Sequence, residues 1–187
     1  MEALKHEGRY TYADYCTWDD DERWEIIDGV PYLMSPAPLK NHQHVCGELF
    51  YRLRGFLEGK QCKVYIAPFD VRLNADKDDD TIVQPDLVVI CDYTKLYDRG
   101  CVGAPDMVIE VLSKSTAPRD KRNKLIAYQN AGVREYWIVD PDNETVRVNL
   151  LGDDGKYSDN VYTSAAIVSV NVLEGCQINL REVFEEM

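Results

Sequence analysis

The sequence predicts an α/β (α+β) chain in which a central mixed β-sheet is flanked by helices and extended by β-hairpins. Three observations predict it. Two short continuous apolar runs, LVVI at 87–90 and MVIEVL at 107–112, each follow a Pro-Asp dipeptide and read as strands buried on both faces. Two other segments carry apolar residues at helical spacing, and turn chemistry at Asp28-Gly29 and beyond residue 140 marks hairpins. At 187 residues the chain reads as one domain, 1–187, long enough to bury a sizeable core.

The elements follow in order. Thr11 and Asp14 form a Thr-x-x-Asp capping signal, so a short helix opens at TYADY. The stretch RWEIIDGVPYLM places Asp28-Gly29 between two apolar runs, a hairpin signal, with Pro36 and Pro38 closing the second strand. From His42 to Gly59, Val45, Leu49, Leu53, Phe56 and Leu57 repeat at helical spacing, and Gly59 suits the stop. KVYIAPFDVRL then reads as one strand with a proline kink, and NADKDDD as a solvated loop. That loop lacks the glycine and closing glutamate of a calcium-binding EF-hand. IVQPDLVVI and APDMVIEVLS read as two buried strands. APRDKRNKLIAYQNAGV reads as a helix with Leu125, Tyr128 and Ala131 near one face and Gly132 at its end. EYWIVDP is a strand, the region to residue 180 continues as hairpins, and REVFEEM closes the chain as a short helix.

Composition removes several classes of function. No apolar run approaches the roughly 20 residues that span a bilayer, and the start lacks a secretory apolar core, so a cytoplasmic protein is expected. The six cysteines show no CxxC pair and read as reduced, mostly buried thiols. A net charge of −12 repels phosphate backbones and argues against a non-specific nucleic-acid binder. It leaves room for an enzyme acting on DNA, because a local patch or a metal ion overrides the net field.

Chemistry concentrates around the two Pro-Asp dipeptides. Asp106 and Glu110 share a strand face but stand about 13 Å apart, too far for one ion to bridge. Asp86 and Glu110 would lie about 5 Å apart if their strands pair, close enough for the carboxylates to converge. Glu110, inside VIEVL, is either a satisfied structural acid or a metal ligand, since an unpaired buried carboxylate is costly. Asp120, Lys124 and Tyr128 follow one helical stripe, so Lys124 either forms a solvated bridge with Asp120 or delivers an ammonium to a reacting phosphate. His42 and His44, two residues apart on a helix, are poor joint ligands. Trp24, Tyr136, Trp137 and Phe184 read as core or dimer-face aromatics rather than a base-stacking platform.

Taken together, EIIDG (25–29), HQ (42–43), QPDLVV (84–89), APDMVIEVLS (104–113) and DxxxKxxxYxxxGVxEYWIVDP (120–141) resemble the Uma-two type restriction-endonuclease family. That bacterial group lies within the PD-(D/E)XK nuclease superfamily, and the resemblance runs from about Tyr10 to Phe184. It implies a restriction-endonuclease-like core and a metal-dependent endonuclease acting on DNA, with Mg2+, or Mn2+ in its place, and a homodimer. It assigns Asp86 and Glu110 as metal ligands, with Glu25 a further acid and Lys124 completing the catalytic set. His42 and Tyr128 fall where substrate would be met. One departure is plain: Leu112 stands where the (D/E)XK pattern has lysine, so the ammonium is expected from Lys124 on the following helix. The rival reading is a weakly active or inactive nuclease-fold module that binds DNA or protein.

Overall fold

The capping signal at Thr11 does start a helix in the computed structural model of the protein, which describes residues 8–19, 22–34, 39–113 and 118–185. The Asp14 carboxylate accepts from the Thr11 N–H at 2.8 Å, and α1 (Tyr12–Tyr15) follows. Strands β1 (Trp24–Ile27) and β2 (Val30–Leu33) pair antiparallel around Asp28-Gly29. Both turn residues have positive φ, 51° and 76°, the backbone that a two-residue hairpin demands. Pro36, Pro38 and the side chain of Asp120 lie outside the described residues. Helix α2 (Lys40–Phe56) buries Val45, Cys46, Leu49 and Leu53 along one stripe.

Two segments read as single strands are each divided between sheets. KVYIAPFDVRL becomes β3 (Lys63–Ile66) and β4 (Asp70–Arg72), separated by a cis Ala67–Pro68 bond. IVQPDLVVI becomes β5 (Ile82–Val83) and β6 (Leu87–Ile90). Proline has no N–H to give to a ladder, so Pro68 and Pro85 end one pairing and let the chain enter another. Strands β7 (Leu96–Tyr97), β8 (Gly100–Val102) and β9 (Met107–Val111) follow, then α3 (Pro118–Ala131). Strands β10 (Glu135–Asp140), β11 (Thr145–Leu151), β12 (Tyr157–Thr163), β13 (Ile167–Ser169) and β14 (Gln177–Asn179) lead to α4 (Leu180–Phe184).

Two six-stranded mixed sheets result, ordered β2-β1-β5-β4-β8-β7 and β12-β11-β10-β9-β6-β3, beside a β13–β14 hairpin. In the second sheet β9 and β10 run parallel while β6 and β9 run antiparallel. Its central strands are buried on both faces, as their continuous apolar runs predicted. Leu87, Val89, Met107, Ile109 and Trp137 pack with α2 and α4, whereas Val88, Ile90, Val108 and Tyr136 pack with α3 and the first sheet. Among the described residues no helix is long and apolar enough to cross a membrane.

Two expectations are corrected. Cys62 and Cys91 are joined in a disulfide, so not all six cysteines are reduced; of the free ones Cys46, Cys101 and Cys176 are buried and Cys16 is exposed. Lys63 pairs with Ile90, so one further step along the ladder sets Cys62 opposite Cys91, a proximity that only strand pairing creates. The loop NADKDDD is not simply solvated: Asp80 is buried and accepts from Arg9 and Asn74, and Asp79 is paired with Arg72.

Candidate active site

Side-chain alternation sends Glu110 out of β9 on the same face as Val108, beneath α3. The stripe read on that helix then meets it. The Lys124 Nζ lies 2.9 Å from Glu110 Oε1, and the Tyr128 hydroxyl donates to the same oxygen at 2.7 Å. Lys124 also reaches Glu25 Oε1 at 2.8 Å, so one ammonium joins an acid of the first sheet to an acid of the second. Glu25, 6% exposed, further accepts the Gln84 N–H at 2.8 Å. Gln84 sits at the crossing where β5 gives way to β6.

Asp86 stands at the far side of that crossing. Leu87 pairs with Ile109, so the next step of the antiparallel register sets Asp86 opposite Glu110. Its backbone carbonyl accepts from Ala67, and its Oδ2 accepts the Val111 N–H at 2.8 Å. His42, from the first turn of α2, brings Nε2 to 3.3 Å from the same oxygen. The two Pro-Asp dipeptides therefore differ. Asp106 accepts the Cys91 N–H at 2.7 Å and pairs with Arg134, tying down the start of β9 at the end away from Glu110.

Burial governs the electrostatics. It pushes the Glu110 carboxyl up to about 7 against the pull of Lys124, with Asp86 and Glu25 adding to the rise. For Lys124 burial disfavours the charge, but Glu110 and then Glu25 outweigh it and hold the ammonium proton more tightly than usual. Burial, then the Glu110 charge, keeps the Tyr128 hydroxyl protonated far above its ordinary value. Burial also works against a charged His42, yet the hydrogen bond and charge of Asp86 prevail and raise it.

Glu25, Glu110, Lys124 and Tyr128 thus share one cluster, with Asp86 and His42 beside it. Tyr128, expected at the substrate, is fully buried and donates its hydroxyl to Glu110. His42 does reach a cleft of about 240 Å³, shared with Leu39, Leu112 and Ser113. His44 turns elsewhere, and its buried Nε2 has no hydrogen-bond partner. Sequence reasoning overlooked Gln84, whose side chain links Arg23, Tyr15 and Asp70 while its N–H holds Glu25. It also overlooked Cys46, 3.5 Å from His42 Nδ1, although the i, i+4 spacing on α2 was readable. Asp86 and Glu110 are hard oxygen donors set opposite each other, a donor pair that suits Mg2+ or Mn2+.

A model of the Uma2 family, described as "Putative restriction endonuclease", matches residues 11–181. The chain belongs to the Uma2 family. It is 25% identical over 147 residues to the uncharacterized protein slr1290 of Synechocystis sp., covering 77% of this chain and 75% of that protein. A crystal structure titled as "a putative nuclease belonging to DUF820", from Anabaena variabilis, superposes with a TM-score of 0.75. That match covers 94% of this chain and 97% of the other at 17% identity, a likeness of fold. Uma2 membership and this α+β fold with mixed sheets put the chain among restriction-endonuclease-like proteins.

Proposed function

We propose that the protein is a Mg2+-dependent endonuclease, with Mn2+ an acceptable substitute, that hydrolyses DNA phosphodiester bonds. The observation that carries this reading is the meeting of Glu25, Glu110 and Lys124 at the crossing between the two sheets, with Asp86 opposite Glu110. Asp86 and Glu110 hold the cation. Bound there, it acidifies a water and offsets charge on the phosphate. Lys124 retains its proton and so acts as a donor and counter-charge to the attacked phosphate, not as a base. Glu25 fixes the ammonium, and Tyr128 fixes Glu110. His42, at the cleft, meets the substrate strand.

The net charge of −12 gives this reading a consequence: DNA binding depends on the bound cation and is weak without it. One observation favours a second reading, a nuclease-fold binding module. Leu112 replaces the lysine of the (D/E)XK pattern, and Lys124 is already engaged by two carboxylates. A plasmid-nicking assay with Mg2+ or Mn2+ separates the two, comparing the wild type with Asp86→Ala and Lys124→Ala. Cleavage lost in both variants supports the nuclease. Cleavage surviving both excludes this site, and no cleavage by the wild type favours the binding module.

A further inference from the structure

Helix α2 carries His42 and Cys46 one turn apart, so both side chains face Asp86. Cys46 Sγ lies 3.5 Å from His42 Nδ1, and His42 Nε2 lies 3.3 Å from Asp86 Oδ2. One donor atom from each of the three residues falls within 4.8 Å of the others. Cys46 meets Nδ1 and Asp86 meets Nε2, so the imidazole turns to aim one nitrogen between thiolate and carboxylate, and an ion with bonds of about 2.0–2.3 Å then draws the three donors to tetrahedral spacing.

The same chain of atoms suggests a Cys–His–Asp nucleophile, but Cys46 is 4% exposed and packs among Leu49, Leu53 and Met107. No substrate carbonyl fits against it. A metal ion needs far less room, and His42 opens toward the cleft beside Leu112 and Ser113.

We propose that His42, Cys46 and Asp86 form a second cation site, selective for a borderline transition ion such as Zn2+ or Co2+, which shares Asp86 with the Mg2+ site. The donor set decides the ion. Thiolate and imidazole favour zinc-like ions, whereas Mg2+ takes oxygen donors and gains nothing from sulfur. Three protein ligands leave a fourth position open, and binding releases the Cys46 proton to solvent. A zinc-like ion here takes Asp86 away from Mg2+ and so suppresses cleavage; that consequence rests on the nuclease reading, but the binding does not.

Co2+ titrated into chelator-stripped, oxidised protein is the test, read by absorption. Tetrahedral thiolate-bound Co2+ gives visible bands and a near-ultraviolet charge-transfer band. The expected result is one equivalent bound, bands displaced by Zn2+ but not by excess Mg2+, and charge transfer lost in Cys46→Ser. Because Cys46 is packed in the core, His42→Gln serves as the second variant. It must weaken Co2+ binding by more than about 10-fold, since even the outer partners of metal sites carry that much. Absence of charge transfer in the wild type, its persistence in Cys46→Ser, or unchanged affinity in His42→Gln overturns the site. Glu110→Gln distinguishes the two readings: it is expected to keep the Co2+ spectrum while losing cleavage. A Co2+ spectrum without any cleavage would remove the nuclease and leave this site standing.

Discussion

Replacing Lys124 with methionine keeps most of the stem and removes the ammonium that lies 2.8 Å from Glu25 and 2.9 Å from Glu110. At an effective dielectric constant of about 20, each contact has a gross attraction of about 6 kcal/mol, much of it offset by burying the charges. Deleting one partner of such a buried group leaves the other uncompensated, at a cost of about 3–5 kcal/mol. Against a typical stability of about 5–15 kcal/mol, that is a large loss. The cost has a pH signature. Burial already holds the folded Glu110 carboxyl at about 7, above its ordinary 4.5, and without Lys124 it rises further. Between those two values the folded state binds more protons than the unfolded state, so stability falls as pH climbs through the window. Lys124→Met is therefore least harmful near pH 5, where Glu110 is protonated, and most harmful near pH 8. Urea unfolding in EDTA at both pH values measures this by tryptophan fluorescence. A cost below about 1 kcal/mol at pH 8, or the same cost at both pH values, would refute the coupling of these charges.

Two further outcomes are expected. Asp106→Ala removes the acceptor of the Cys91 N–H and the partner of Arg134, so it should cost about 1–3 kcal/mol in denaturant melts. It should leave cleavage intact where Asp86→Ala abolishes it, and a folded but inactive Asp106→Ala protein would undo the distinction between the two aspartates. Reducing the Cys62–Cys91 bond, which closes a sequence separation of 29, should lower stability by about 3.5 kcal/mol on chain-entropy grounds. The unreduced protein unfolded in denaturant should then show four titratable thiols, whereas finding all six would remove the disulfide.

Local signals in the sequence carried much of the fold. Asp28-Gly29 announced its hairpin, Thr11 and Asp14 their cap, and the spacing of Val45, Leu49 and Leu53 the buried stripe of α2. The change of sheet at Gln84-Pro85 was hidden because the apolar pattern runs on through it, and a proline kink looks the same whether a strand bends or ends. The same limit applied to the site. Strand rise alone separated Asp106 from Glu110, yet the partners of Glu110 were illegible until α3 laid Lys124 and Tyr128 on it. The contacts His42–Asp86 and Cys62–Cys91 join different elements, so their proximity depends on packing and register, which no local pattern encodes.

If Glu110 holds the cation that hydrolysis requires, Glu110→Gln, which keeps the shape and loses the charge, is the most direct probe. The measurement is single-turnover cleavage of an end-labelled DNA duplex at saturating Mn2+, with an EDTA control. Wild-type cleavage that EDTA abolishes, slowed by about 100-fold or more in the variant, is the predicted result. Wild-type cleavage that persists in EDTA, or a Glu110→Gln protein cutting within about 3-fold of the wild-type rate, would contradict it.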